Sequence, residues 1–110
     1  MMAGDANERL LAMIGMSKRA GKLTAGFDTV TEGVRMGTIN QVFYASDVSA
    51  KTVKELEYIC NQENATVTAL PVTMDEIKRI TAKRSGVFAI TDAGLRRKIS
   101  EMILSDGGKV

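Results

Sequence analysis

A chain of 110 residues that is 45% apolar and 25% charged has the composition of one globular domain, long enough to bury a core. That mix excludes a disordered tail, a collagen-like repeat and a coiled coil. Fifteen basic against thirteen acidic residues leave a net charge of +2, which indicates a polyanionic partner only if the cations are gathered in one place.

The absences prune the chemistry further. With no histidine and the single cysteine Cys60, the chain holds no Ser-His-Asp or Cys-His pair, no zinc site of the structural type and no internal disulfide. A lone thiol fits a reducing cytoplasm, the expected location. No apolar run approaches a membrane span and no signal pattern is read at the N-terminus, so no membrane partner is expected.

In chain order, Asp5 or Asn7 is expected to cap a first helix bearing Leu10, Leu11 and Ile14, ended by Gly21. Leu23 to Ala25 reads as a short strand. Gly26 opens a second helix with Phe27, Val30 and Val34 on one face and Gly37 as its stop. Gln41 to Ser46, through Val42-Phe43-Tyr44-Ala45, reads as a buried strand. Ser49 caps a third helix with Val53, Leu56 and Cys60 inward, ending near Asn64. Thr66 to Leu70 is the next strand, stopped by Pro71. Thr73 and Glu76 form a capping box before a fourth helix carrying Met74, Ile77 and Ile80. Val87 to Ile90 is the last strand, and Asp92 caps a fifth helix with Leu95, Ile99, Met102 and Ile103. One domain spans 1–110, with 1–6 and 105–110 expected to fray.

Short apolar strands separated by amphipathic helices predict a three-layer α/β/α sandwich, with a four-stranded mixed sheet and about five helices. The strand order does not follow from the pattern. Cys60 and the seven methionines read as core filler.

Gly15 through Lys22 has a superficial likeness to a phosphate-binding loop, but the glycine spacing is wrong and Leu23 stands where Ser or Thr is needed. Asp47 and Asp92 each follow a predicted strand, and read first as caps or turn residues and only second as catalytic or magnesium-binding carboxylates. The cations fall into three groups: Lys18, Arg19 and Lys22; Lys78, Arg79, Lys83 and Arg84; and Arg96, Arg97 and Lys98. Near helix ends such groups also complement the dipole. The second helix is different. Its outward face carries Asp28, Thr29 and Glu32, and Gly26 leaves the first-turn amides open to an incoming oxygen. Carboxylates there suit donors such as the imino and amino edge of guanine.

The order Arg19-Ala20-Gly21-Lys22-Leu23, then Gly26, Val30 and Gly37, then Ala45-Ser46-Asp47-Val48, resembles the kink-turn RNA-binding ribosomal proteins of the L7Ae and L30e type. Phe88-Ala89-Ile90-Thr91-Asp92-Ala93-Gly94 is similar to the small bacterial YlxQ branch. The resemblance runs from Glu8 to Ile103. It implies an α/β/α sandwich that grips sharply bent RNA with the start of the second helix, opened by Gly26, and closes over it with the loop before the last strand. Where the family commonly reads Thr-Asn-Glu and then a lysine three residues on, this chain has Phe27, Asp28, Thr29 and Glu32. An amide donor, a carboxylate and a positive charge are thereby exchanged. Lys83-Arg84-Ser85-Gly86 replaces a small apolar loop and implies phosphate contacts.

The expectation is a non-catalytic, ribosome-associated RNA-binding protein. Gly26, Asp28, Thr29 and Glu32 would meet bases or backbone, and Lys22, Lys83 and Arg84 the phosphates. Lys18 and Arg19 would extend the patch, and Ser85 and Gly86 would complete the loop. The partner would be structured RNA, ribosomal RNA first. No cofactor, metal or small-molecule substrate is expected. Two other readings stand beside it: a protein-interaction module that kept the fold and lost kink-turn binding, and a small enzyme using Asp47 and Asp92.

Overall fold

The computed structural model describes residues 3–82 and 85–107. Helices and strands alternate as α1 (Ala3–Arg19), β1 (Leu23–Ala25), α2 (Phe27–Arg35), β2 (Gln41–Tyr44), α3 (Ala50–Gln62), β3 (Thr66–Ala69), α4 (Met74–Thr81), β4 (Val87–Ile90) and α5 (Ala93–Gly107). The sheet order is β1-β4-β2-β3. Strands β1 and β2 are each antiparallel to β4, and β3 is parallel to β2. So β1, β2 and β3 all point the same way. Their carboxyl ends share one end of the sheet with the beginning of β4. This is the mixed four-stranded sheet with five helices expected from the sequence.

Successive strand residues face opposite sides, and β4, buried along its length, divides the core accordingly. Phe88 and Ile90 join Leu10, Ile14, Phe43, Ile77 and Ile99, under α1, α4 and α5. Val87 and Ala89 join Val30, Val34, Val42, Leu56 and Cys60, under α2 and α3. Phe43 and Phe88 lie opposite each other in the register, with ring centroids 5.7 Å apart. Cys60 is buried, as expected, and burial pushes its thiol up from its ordinary range. The methionines divide: Met13, Met74 and Met102 pack against the core, whereas Met16 and Met36 are exposed.

Most helix ends follow the sequence signals. Gly21 ends α1 with a positive φ of 73°, and the next amide, Lys22 N–H, donates to Ser17 O at 2.9 Å. Thr73 and Glu76 form the full capping box of α4, and Ser49 Oγ accepts from Thr52 N–H at the start of α3. The start of α1 differs. It begins at Ala3, so Asp5 and Asn7 lie inside it. Asn7 Nδ2 donates instead to the Pro71 carbonyl, a tertiary partner that the local sequence does not reveal. The described parts of both terminal stretches, from Ala3 and up to Gly107, are helical. Strand β2 stops at Tyr44, two residues early: Ala45 N–H still donates to Gly86 O, its partner in the β4 register, but Ser46 N–H turns to the Val72 carbonyl beyond β3.

Candidate nucleic-acid interface

Among helices α2 to α5, only α2 starts without a side-chain cap. Its first helical hydrogen bond runs from Val30 N–H to Gly26 O at 3.0 Å. The amides of Phe27, Asp28 and Thr29 therefore have no acceptor within the helix. Gly26 holds φ 107° and ψ 138°, a conformation that L side chains rarely adopt, so glycine is needed where the chain turns from β1 into α2. Val30 and Val34 are buried, while Asp28, Thr29 and Glu32 are exposed, as the helical spacing predicts.

The loop before β4 reaches this helix start through one atom. The Val87 carbonyl accepts from Gly26 N–H at 2.9 Å and from Ser85 Oγ–H at 2.9 Å. Ser85 and Gly86 therefore stand directly beside the open turn of α2. Gly86 is tightly enclosed: a Cβ there would collide with Val48 Cγ2 and lie 3.0 Å from Met74 Sδ. Lys83 and Arg84 lie outside the described residues. This carbonyl node was invisible in the sequence, because it arises from strand order and a backbone atom carries no residue signature.

The first cationic group sits elsewhere. Lys22 precedes β1, and its carbonyl accepts from Thr91 N–H at 2.8 Å, beyond the end of β4. Gly26 follows β1, so about 13 Å of extended chain separates the two. Lys18 and Arg19 form the last turn of α1, at the Lys22 end. Arg19 Nη1 lies 3.5 Å from where a Gly15 Cβ would be, so this side chain folds back along α1. Hence Gly26, Asp28, Thr29, Glu32, Ser85 and Gly86 share one end of the sheet, and Lys18, Arg19 and Lys22 the other. Gly15 is buried within α1 and takes no part in a phosphate loop.

Both strand-end aspartates are caps. Asp47 Oδ1 accepts from Met74 N–H at 2.9 Å, at the start of α4, and Asp92 Oδ2 accepts from Leu95 N–H at 2.9 Å, in the first turn of α5. They follow the antiparallel strands β2 and β4, so they sit at opposite ends of the sheet and form no pair. Among the described residues no group of three or more His, Cys, Asp or Glu side chains is placed to hold a metal ion, and no helix is long and apolar enough to cross a membrane.

The sequence model of the ribosomal protein L7Ae/L30e/S12e/Gadd45 family matches residues 8–98. The chain belongs to this family. The RNA-binding protein YlxQ of Enterococcus faecium is 29% identical over 96 residues, which is 87% of this chain and 92% of that protein. The YlxQ branch expected from the motifs is thus the one matched. A solved structure of a protein with unknown function from Bacillus halodurans C superposes with a TM-score of 0.77 at 27% identity, over 86% of this chain and 95% of the other. The 15.5kD RNA binding protein of Giardia lamblia superposes with a TM-score of 0.72 over 100% of this chain and 94% of its own, and at 15% identity that likeness is one of fold.

Proposed function

We propose that this protein binds structured RNA in the cytoplasm, ribosomal RNA first, and stabilises a bent conformation without catalysing a reaction. The observation that carries the reading is the Val87 carbonyl, which ties the loop before β4 to the open start of α2. Family membership and the RNA-binding name of the YlxQ relative support it. The amides of Phe27, Asp28 and Thr29 donate to phosphate or base oxygens. The carboxylates of Asp28 and Glu32 accept from base donors, where a phosphate in the same place would be repelled. Lys83 and Arg84 neutralise phosphates. Lys18, Arg19 and Lys22 meet phosphates of an adjoining stem at the far end of β1. The energy comes from preferring one RNA conformer over others.

A mobility or filter assay with ribosomal RNA fragments across salt tests this. Each neutralised phosphate steepens the slope of log affinity on log salt by about 0.9 for a duplex and about 0.7 for a single strand. A flat slope, or no retention of RNA at low salt, refutes the proposal.

A protein-interaction module is the second reading, because Asp28 in the first turn and Glu32 in the second put two exposed carboxylates on α2. It is favoured if partners persist in nuclease-treated lysate and are indifferent to charge reversal at Lys83 and Arg84.

A further inference from the structure

A groove of about 730 Å³ runs between α2 and α3, on the same face of the sheet as the open helix start. Its wall is part apolar, part cationic: Phe27, Tyr58 and Ile59 with Arg35, Lys51 and Lys54, against the single carboxylate of Glu55. Helices α2 and α3 follow the parallel strands β1 and β2 and so begin at one end of the sheet. Phe27 is both the first residue of α2 and part of the wall, so the groove is continuous with the proposed RNA site.

Tyr58 is the unusual member. It is 66% exposed in a chain with two tyrosines and no tryptophan. Its phenol oxygen accepts from Gln62 Nε2 at 3.2 Å, one turn on, which holds the ring against the helix surface. An exposed aromatic face among cations is the arrangement that takes a nucleobase by stacking and its phosphates by charge. An acidic peptide would use the cations and leave the ring's face with no special role.

We infer that this groove holds a single-stranded RNA segment leaving the bent element, with one base stacked on Tyr58 and the backbone along Arg35, Lys51 and Lys54. The inference rests on the RNA-binding reading and assigns that reading a second contact surface. In a Tyr44→Phe protein Tyr58 is the sole tyrosine, and its fluorescence reports the site. Addition of a ~10-nucleotide oligoadenylate, within the span such sites take, quenches that fluorescence saturably. Lys51→Glu with Lys54→Glu abolishes the quench. In the native background Tyr58→Ala weakens oligoadenylate binding about 5- to 20-fold, whereas Tyr58→Phe, which keeps the ring, binds as the parent does. The inference is overturned if oligoadenylate leaves Tyr58 unquenched while the parent still shifts ribosomal RNA fragments. It is equally overturned if oligoglutamate quenches Tyr58 and oligoadenylate does not. Failure of the parent to bind any RNA removes the underlying reading as well.

Discussion

Two helices begin at the same end of the sheet and are finished in opposite ways. The start of α4 is closed by its own capping box, with Thr73 N–H donating to Glu76 Oε1 at 2.9 Å and Glu76 N–H to Thr73 Oγ1 at 3.2 Å. Asp47 adds a third bond from a different loop. The start of α2 has a glycine, no side-chain cap and three amides without a helical acceptor. With glycine at the N-cap, the lost side-chain cap costs the helix only about a few tenths of a kcal/mol. Among α2 to α5 only the α2 turn is left open in this way, and it is the turn to which the proposed function assigns the RNA. The far end of the sheet is finished differently: it carries Lys18, Arg19 and Lys22, and Asp92 caps the helix that starts there. Charge by itself does not single out the start of α2. Open donors beside a tethered loop do.

The largest test is to sharpen the α2 start. Converting Asp28→Asn, Thr29→Glu and Glu32→Lys restores the donor, carboxylate and cation common in the family. A gain of roughly 10- to 100-fold for a kink-turn RNA is expected, read by mobility shift at fixed salt. Unchanged affinity would mean that this turn does not touch RNA. Next is the loop. Gly86→Ala drives a Cβ into Val48 and Met74, at a cost of about 1–3 kcal/mol. Its melting temperature falls by about 4–8 °C per kcal/mol.

The two helix starts then separate stability from binding. Gly26→Ala forces a positive φ on alanine, and loses both about 1–3 kcal/mol and RNA affinity. Thr73→Ala loses about 1 kcal/mol with affinity unchanged, by denaturant titration and filter binding. If Thr73→Ala weakened RNA binding as much as Gly26→Ala, the contrast between the helices would be broken. Smaller still, Lys18→Gln with Lys22→Gln lowers the salt slope by about 0.7–0.9 for each phosphate that is no longer neutralised, without changing which RNA is preferred. The smallest effect is at Cys60. Burial raises its thiol, so the native protein resists alkylation at mildly alkaline pH and reacts once unfolded.

Much of this was legible in the chain itself, for local reasons. The capping box at Thr73 and Glu76, the stops at Gly21 and Gly37 and the buried run Val87 to Ile90 are each written within a few residues. The open turn after Gly26 was legible too, since a glycine where Ser, Thr or Asp would cap is a visible omission. What could not be read was set by distant partners. Asn7 abandons a capping role for Pro71, Asp47 caps a helix that starts 27 residues later, and β2 ends early where Ser46 turns to the Val72 carbonyl. The groove beside Tyr58 follows from the side-by-side start of α2 and α3, which has no signature in spacing. The separation of Lys22 from Gly26 was implicit in the strand read between them.

The most direct measurement is amide hydrogen exchange on the intact protein, with and without a ribosomal RNA fragment that it retains at low salt. The amides of Phe27, Asp28 and Thr29, which have no acceptor within α2, should exchange fast without RNA and become protected when it is bound, together with Ser85 and Gly86. Protection confined to Lys18 through Lys22, with those three amides still exchanging at their free rate, would contradict the account.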